Sequence, residues 1–219
     1  MITDIKVKQM NTDTQVNALG LKDGSIVSAD WIQANLMLGK VYMAYMGSAS
    51  TPDTLDASFA NTDADLAIDV PDGTSIIPLA IKLQVEDYGS KALFETMANI
   101  SKTAHGATTT AFVPINVRTR AAGGSNCTVC YDATVTSGYT TGSFELYHYV
   151  LHEVLDVLSA DDDAAAQVIR RDWNWSYAQD GFAPVIDGVG SLTIWAVSQA
   201  CKGFLQAYWL EFATSDLVS

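Results

Sequence analysis

The amino-acid sequence predicts an all-β protein, an eight-stranded antiparallel sandwich of the jelly-roll type with an N-terminal arm. From residue 40 onward, runs of alternating apolar and polar residues recur, and turn-forming residues separate them. The strands do not alternate with helical patterns, as a parallel sheet would require. The double Greek key of a jelly roll uses eight strands, which matches the number of clear runs. An immunoglobulin-like sandwich is the second choice, because it is usually shorter and the spacing of Cys and Trp here does not support it.

Residues 1–40 are predicted to form a partner-contacting arm or short helix, and residues 41–219 the sandwich domain. The arm begins with polar sequence and continues into a segment, residues 28–38, that suits a short helix capped by Ser28 or Asp30. A polar N-terminal segment is usually mobile unless something holds it, so contact with a neighbouring chain is one expectation and packing on its own domain is the other.

The predicted strands differ in how clearly the pattern marks them. Residues 91–101 suit a strand or a helix, and Pro114 indicates an edge strand or a bulge. The last two runs are interpreted as a hairpin. The eight clear runs are 40–46, 64–70, 75–87, 108–119, 127–136, 144–155, 191–199 and 203–214.

Period-2 alternation is clearest in two of these runs. In residues 75–87 the predicted apolar face consists of Ile77, Leu79, Ile81, Leu83 and Val85. In residues 203–214 one face carries Phe204, Gln206, Tyr208, Leu210 and Phe212, and the other carries Leu205, Ala207, Trp209, Glu211 and Ala213. Because both faces of the last run are fairly apolar, we expect it inside the sandwich or at a subunit interface.

Composition and charge exclude several classes of protein. The chain has 219 residues, 48% of them hydrophobic and 17% charged, so it can bury a core and is not generally disordered. A net charge of -13 would repel phosphate backbones, and we expect no direct nucleic-acid partner. No uninterrupted apolar stretch suits a membrane span, and the N-terminus lacks an apolar secretion signal, so we expect synthesis and folding in a cytoplasm.

Catalytic and metal-binding patterns are weak. Cys127 and Cys130 form a C-x-x-C motif, but on a strand the two thiols would point to opposite faces. His148 and His152 have the spacing of helical zinc ligands, yet on a strand they would lie about 13 Å apart. The acidic run Asp161–Asp163 lacks the glycine and glutamate of a calcium loop. We therefore expect no enzyme activity, no cofactor and no metal.

One aromatic group offers a binding site. Trp173, Trp175, Tyr177 and Phe182 could form a platform on which sugar rings stack, although such clusters are more often core or interface.

Three segments, 76–87, 112–119 and 185–212, together resemble a group of virion structural proteins of tailed bacteriophages, recurrent in cyanophage-like genomes. Their sequences are IIPLAIKLQVED, FVPINVRT and VIDGVGSLTIWAVSQACKGFLQAYWLEF. The resemblance covers roughly residues 66–213 and rests on strand motifs, while residues 1–65 match nothing in the group. It implies a single jelly roll that acts as a capsid decoration, or cement, protein.

The resemblance also implies partners and a location. It indicates a homotrimer on the exterior of the virion head that bridges neighbouring major capsid protein subunits. We expect the arm to reach the shell through four apolar residues, Ile5, Val7, Trp31 and Leu36. The alternative is a receptor- or glycan-binding head of a tail fibre or spike. Its natural site would be Trp173, Trp175 and Tyr177 together with the acidic loop Asp161–Asp163.

Overall fold

The computed structural model describes residues 6–8, 15–17, 30–55, 62–87, 93–106, 110–134, 143–152, 172–197 and 201–216. It contains two antiparallel sheets, of seven and six strands, and a separate two-stranded pair. The strands are β1 (Lys6–Lys8), β2 (Gln15–Asn17), β3 (Val41–Met46), β4 (Asp53–Thr54), β5 (Asp63–Val70), β6 (Thr74–Asp87), β7 (Leu93–Ser101), β8 (Thr110–Phe112), β9 (Ile115–Asn116), β10 (Thr128–Thr134), β11 (Phe144–His152), β12 (Asp172–Ser176), β13 (Ile186–Asp187), β14 (Gly190–Val197) and β15 (Lys202–Ala213). Two short helices, α1 (Trp31–Met37) and α2 (Tyr177–Asp180), and a 3-10 turn (Thr214–Asp216) complete the described structure.

Eight of these strands are connected as a jelly roll. The seven-stranded sheet contains the order β12-β6-β15-β3, and the six-stranded sheet contains the order β11-β7-β14-β5. Counted along the chain, the first of the eight strands pairs with the last, the second with the seventh, the third with the sixth and the fourth with the fifth. This nested antiparallel pairing is the connectivity of a jelly roll, so the predicted fold class is confirmed.

The connection between β7 and β11 adds short strands to both sheets. β10 pairs with β5 and carries β8 at the edge of the six-stranded sheet, while β9 pairs with β3 in the seven-stranded sheet. Pro114 lies between β8 and β9. The predicted run 108–119 is therefore divided at its proline, which cannot donate a ladder hydrogen bond, and its two parts join different sheets as edge strands.

The core lies between the two sheets. Inward side chains of β15 (Leu205, Ala207 and Trp209) pack in one cluster with inward side chains of β5 and β14, such as Leu66 and Ile194. The alternation predicted for the last run is confirmed, because the next residues along β15 point to the other side of the sheet.

The predicted apolar face of residues 75–87 is wrong at its first two members. The pairing of β6 with β15 shifts near Leu79, since Tyr208 pairs with Ala80 and Trp209 with Pro78. An irregularity of this kind moves the residues on one side of it to the opposite face. Ile77 and Leu79 accordingly pack in a separate cluster from Ile81, Leu83 and Val85.

The predicted hairpin of the last two runs is also wrong. β14 pairs with β5 and β7, whereas β15 pairs with β3, β4 and β6. The chain therefore crosses from one sheet to the other between these strands. Residues 91–101, for which a helix and a strand were both considered, contain the strand β7. In the ranges that the structure describes, no helix is long and apolar enough to cross a membrane.

Candidate functional site

Helix α1 begins as its sequence predicts. The Asp30 carboxylate accepts hydrogen bonds from the backbone N–H of Ile32 at 2.7 Å and of Gln33 at 3.0 Å. These bonds satisfy donors that have no partner within the first turn of a helix. Of the two caps considered, the structure shows Asp30, and Ser28 lies outside the described residues.

α1 packs on the outer side of the seven-stranded sheet. Ile32 and Leu36 contact a cluster formed by Val41, Leu210 and Phe212 with other buried side chains. The helix therefore packs on the sandwich domain. Leu36, which we expected to contact the shell, is half-buried against its own domain, and its contact with the shell stays a prediction.

Trp31 remains largely open to solvent. Its ring stacks on the Phe212 ring with centroids 5.6 Å apart, yet 53% of its surface is exposed. Met37 and Leu38 at the other end of the helix are 46% and 68% exposed. We call these three residues the helix patch. Large apolar side chains exposed together on one element are typical of interaction surfaces.

The other two residues expected at the shell are described only in part. Val7 lies on β1 and pairs with Val16 of β2. Ile5 lies outside the described residues, as does the acidic run Asp161–Asp163. Their roles stay predictions.

The platform predicted from the aromatic residues is wrong for both tryptophans. Trp173 and Trp175 on β12 point into the core and are 4% and 2% exposed. The centroids of the Phe94 and Trp173 rings lie 4.6 Å apart. The Trp175 indole N–H donates a hydrogen bond to the Asp180 carboxylate. Tyr177 packs at the margin of the same core. Alternation along β12 makes the two tryptophans share a face, and that face is the inner one.

A different surface of the same sheet carries exposed aromatic and amide groups. Beyond α1, the outward side chains of β12, β6, β15 and β3 form cross-strand rows. In one row Asn174 pairs with Lys82, Lys82 with Gln206 and Gln206 with Tyr45. We call this surface the open face. Its members are Met43, Tyr45, Lys82, Gln84, Glu86, Asp172, Asn174, Phe204, Gln206 and Tyr208.

Contacts within the open face hold several of its side chains in place. The Tyr208 hydroxyl donates to Oε1 of Gln206 at 3.1 Å, and the Lys82 ammonium lies 5.4 Å from the centre of the Tyr208 ring. Nδ2 of Asn174 donates to the Asp172 carboxylate at 3.3 Å. Contacts of this kind between neighbouring side chains give the surface a defined shape before any ligand arrives.

Three depressions adjoin one another: the first lies at the edge of the sheet, and the other two cross the open face at right angles to the strands. The first lies near Phe112 and Tyr45, the second between Tyr45, Gln206 and Phe204, and the third between Phe204 and Asn174. Neighbouring depressions share residues, Tyr45 in one case and Phe204 in the other, so together they form one channel that we call the transverse groove. It crosses four strands, a span of about 14 Å.

Gly47 at the end of β3 fits closely under one wall of the transverse groove. Its φ is +88°, and a Cβ built on it would lie 2.8 Å from Cδ1 of Phe204. A glycine is required here both by its backbone conformation and by the ring above it. The position of the Phe204 ring therefore depends on this residue.

A second candidate site is a small cavity on the outer side of the six-stranded sheet. The amide of Asn99, 1% exposed, and Nε2 of His105, 5% exposed, have no hydrogen-bond partner within the described part of the chain. Thr193 and Trp195 also line this cavity, which has a volume of about 10 Å³. That is room for about one water molecule, so the cavity suits an internal hydration site and excludes an organic ligand.

The loop beside this cavity is anchored by a carboxylate. Asp69 accepts hydrogen bonds from the backbone N–H of His105 at 2.5 Å and of Gly106 at 2.8 Å. Burial lowers the pKa of His105 below its ordinary value, and the nearby Asp69 charge opposes that shift in part. The imidazole is therefore neutral at pH 7.

The cysteines occupy the positions expected for a strand. Cys127 packs in the core between the sheets and Cys130 packs in a cluster on the outer side, so the two thiols lie on opposite faces. Burial raises the pKa of both thiols, which keeps them protonated. His148 and His152 both lie on β11, a strand rather than a helix. Over the described ranges, no group of three or more His, Cys, Asp or Glu could hold a metal ion.

The two surfaces that could bind a partner are thus the helix patch and the transverse groove. From the sequence, Trp31 of the first was expected at a partner surface, and the second was not predicted. Alternation already placed Lys82 and Gln84 on the polar face of their run and Phe204 and Gln206 on one face of theirs, but which strands lie side by side depends on the fold. Comparisons with family models, with curated proteins and with solved structures found no match to this chain.

Proposed function

We propose that this protein is a non-enzymatic structural component of a bacteriophage virion that decorates the outside of the head. As a homotrimer it bridges neighbouring major capsid protein subunits and so stabilises the shell. The resemblance to phage virion proteins supports the phage assignment, and the jelly-roll connectivity agrees with the fold which that resemblance implies.

The observation that carries the attachment site is the exposure of the helix patch. Trp31, Met37 and Leu38 present apolar surface on an element that is itself braced against the sheet by Ile32 and Leu36. A rigid aromatic anchor loses little conformational entropy on binding and is the kind of residue that dominates interface energies. We assign the helix patch to the contact with the shell.

Oligomerisation would raise the overall affinity for the shell above that of one weak contact. One helix patch is small, but a trimer carries three on one body, and the second and third contacts then form intramolecularly. The acidic chain, with its net charge of -13, would favour a basic partner surface and avoid the packaged DNA.

The test is binding of the full-length protein to purified heads that lack it, measured by co-sedimentation. Trp31→Ala should raise the dissociation constant for heads at least about tenfold, because truncating an aromatic anchor that dominates an interface typically costs about 2 kcal/mol or more, and about 1.4 kcal/mol is already tenfold. The free energy of unfolding of Trp31→Ala should be close to that of the parent protein, because about half of the Trp31 surface is already exposed. The matched control is Phe144→Ala, which removes a similarly exposed aromatic ring from β11 in the other sheet.

Two results would count against the assignment. If Trp31→Ala bound heads as well as the parent protein did, the helix patch would not be the attachment site. If Phe144→Ala weakened binding equally, loss of any exposed ring would explain the effect. Failure of the parent protein to bind any head preparation would remove the decoration proposal itself.

A further inference from the structure

The transverse groove has the chemistry of a ligand site rather than of an ordinary solvated sheet face. Its walls carry two aromatic rings, Tyr45 and Phe204, with three amide side chains, Gln84, Gln206 and Asn174, between and beside them. Amides both donate and accept hydrogen bonds, and ring faces contact apolar C–H surfaces. A ligand that satisfies both has a hydroxyl-rich edge and an apolar face.

The charges around the groove exclude one class of ligand. Glu86 and Asp172 lie at the β12 end of the groove, and Asp53 lies at the end nearest Phe112. The positive charge of Lys82 is directed over the Tyr208 ring. These acids, on a chain with a net charge of -13, disfavour an anionic polymer such as a nucleic acid or an acidic glycan.

The shape of the groove indicates an extended ligand. The three depressions adjoin one another across four strands, and each is open to solvent rather than enclosed. A chain laid across the strands would meet Asn174 and Gln84 first, then Phe204 and Gln206, and finally Tyr45. The ring of Phe112, whose centroid lies 5.0 Å from that of Tyr45, closes the far end.

We propose that the transverse groove binds an extended, uncharged oligosaccharide. The sugar rings stack on Tyr45 and Phe204, and their hydroxyl groups exchange hydrogen bonds with Gln84, Gln206 and Asn174. This site is separate from the helix patch and does not depend on the decoration function. The groove and the helix patch both lie on the outer side of the seven-stranded sheet, the groove over the Phe204 end of β15 and the helix over the Phe212 end.

The experiment is affinity electrophoresis of the full-length protein in native gels that contain soluble polysaccharides. The neutral probes are hydroxyethyl cellulose, dextran, mannan and galactan, and the anionic probes are alginate and heparin. The parent protein should be retarded by at least one neutral polymer and by neither anionic one. Gln84→Ala and Tyr45→Ala should each weaken the interaction about tenfold, the loss of one well-placed ligand contact.

Matched variants separate the site from general effects. Gln33→Ala removes an exposed glutamine from α1, and Phe144→Ala removes an exposed aromatic ring from β11; neither should alter retardation. Gln84 is exposed, so its replacement should leave thermal unfolding unchanged. The proposal is overturned if no neutral polymer retards the protein, if only anionic polymers do, or if the groove variants migrate as the parent does. Trp31→Ala should be retarded by the polysaccharide as the parent protein is, but it should bind purified heads more weakly. This difference distinguishes the groove from the attachment site.

Discussion

The outward side chains of β15 form two halves that differ in solvent exposure, although they belong to one strand and one face of the sheet. Leu210 and Phe212 are buried because α1 lies over them, whereas Phe204, Gln206 and Tyr208 are partly exposed on the open face. The sequence is apolar where the helix covers the sheet and becomes mixed aromatic and amide where it does not. An alternating pattern thus shows which residues share a face, and only the composition of each half indicates whether that face is covered or free to bind.

The largest expected effect comes from the covered half. Leu210→Ala should lower the free energy of unfolding by about 2–5 kcal/mol, because it leaves a cavity between the sheet and α1. Gln206→Ala, on the open half of the same row, should change it by less than about 0.5 kcal/mol. Urea unfolding followed by tryptophan fluorescence measures both. Equal losses at the two positions would mean that α1 does not bury one half of the row more than the other.

A smaller effect is expected at the start of the covering helix. Asp30→Ala removes the acceptor for two backbone N–H groups and should destabilise α1 by about 1 kcal/mol. Asp30→Ser, which keeps a capping oxygen, should recover most of that loss. Because a loosened helix would also displace Trp31, Asp30→Ala should weaken binding to heads without affecting retention by polysaccharide. If Asp30→Ala were as stable as the parent protein, the helix would not depend on this cap.

The smallest effect is a pH dependence that involves the other sheet. The pKa of His105 is lowered in the folded protein, so below its unfolded value, about 6.5, the unfolded chain binds a proton that the folded chain does not. The stability due to the neutral imidazole is therefore complete above that pH and is lost as pH falls toward the folded pKa.

The measurement is the difference in unfolding free energy between the parent protein and His105→Gln from pH 7.5 to pH 5. The parent should lose stability more steeply than the variant as the pH falls, since glutamine takes up no proton. Replacement of His105 should not change how strongly a polysaccharide retards the protein, because the open face belongs to the opposite sheet. Parallel curves for the two proteins would contradict the burial effect assigned to His105.

Local patterns predicted much of the fold. Alternation along residues 203–214 separated the inward Trp209 from the outward Tyr208, and the Asp30 cap marked the start of α1. The shift near Leu79 had no such signal, because it appears only where β6 meets β15. The hairpin prediction failed for the same reason, since closeness in sequence does not show that β14 and β15 lie in different sheets.

The candidate surfaces were harder to predict than the fold. Trp31 and Leu36 were both expected at the shell as large apolar residues of a short helix, and the structure distinguishes them only by exposure, because Leu36 packs on the sheet while Trp31 is largely open to solvent. Trp173 and Trp175 attracted attention as aromatic residues and are core. The groove residues Tyr45, Gln84 and Gln206 come from three separate strands, and only the jelly-roll order places them together.

The most direct test of the decoration role is the oligomeric state of the full-length protein, measured by light scattering coupled to size exclusion, alone and after mixing with purified heads that lack it. We expect a stable trimer that co-elutes with the heads and raises their resistance to heat. A monomer, or a trimer that elutes apart from the heads, would contradict decoration.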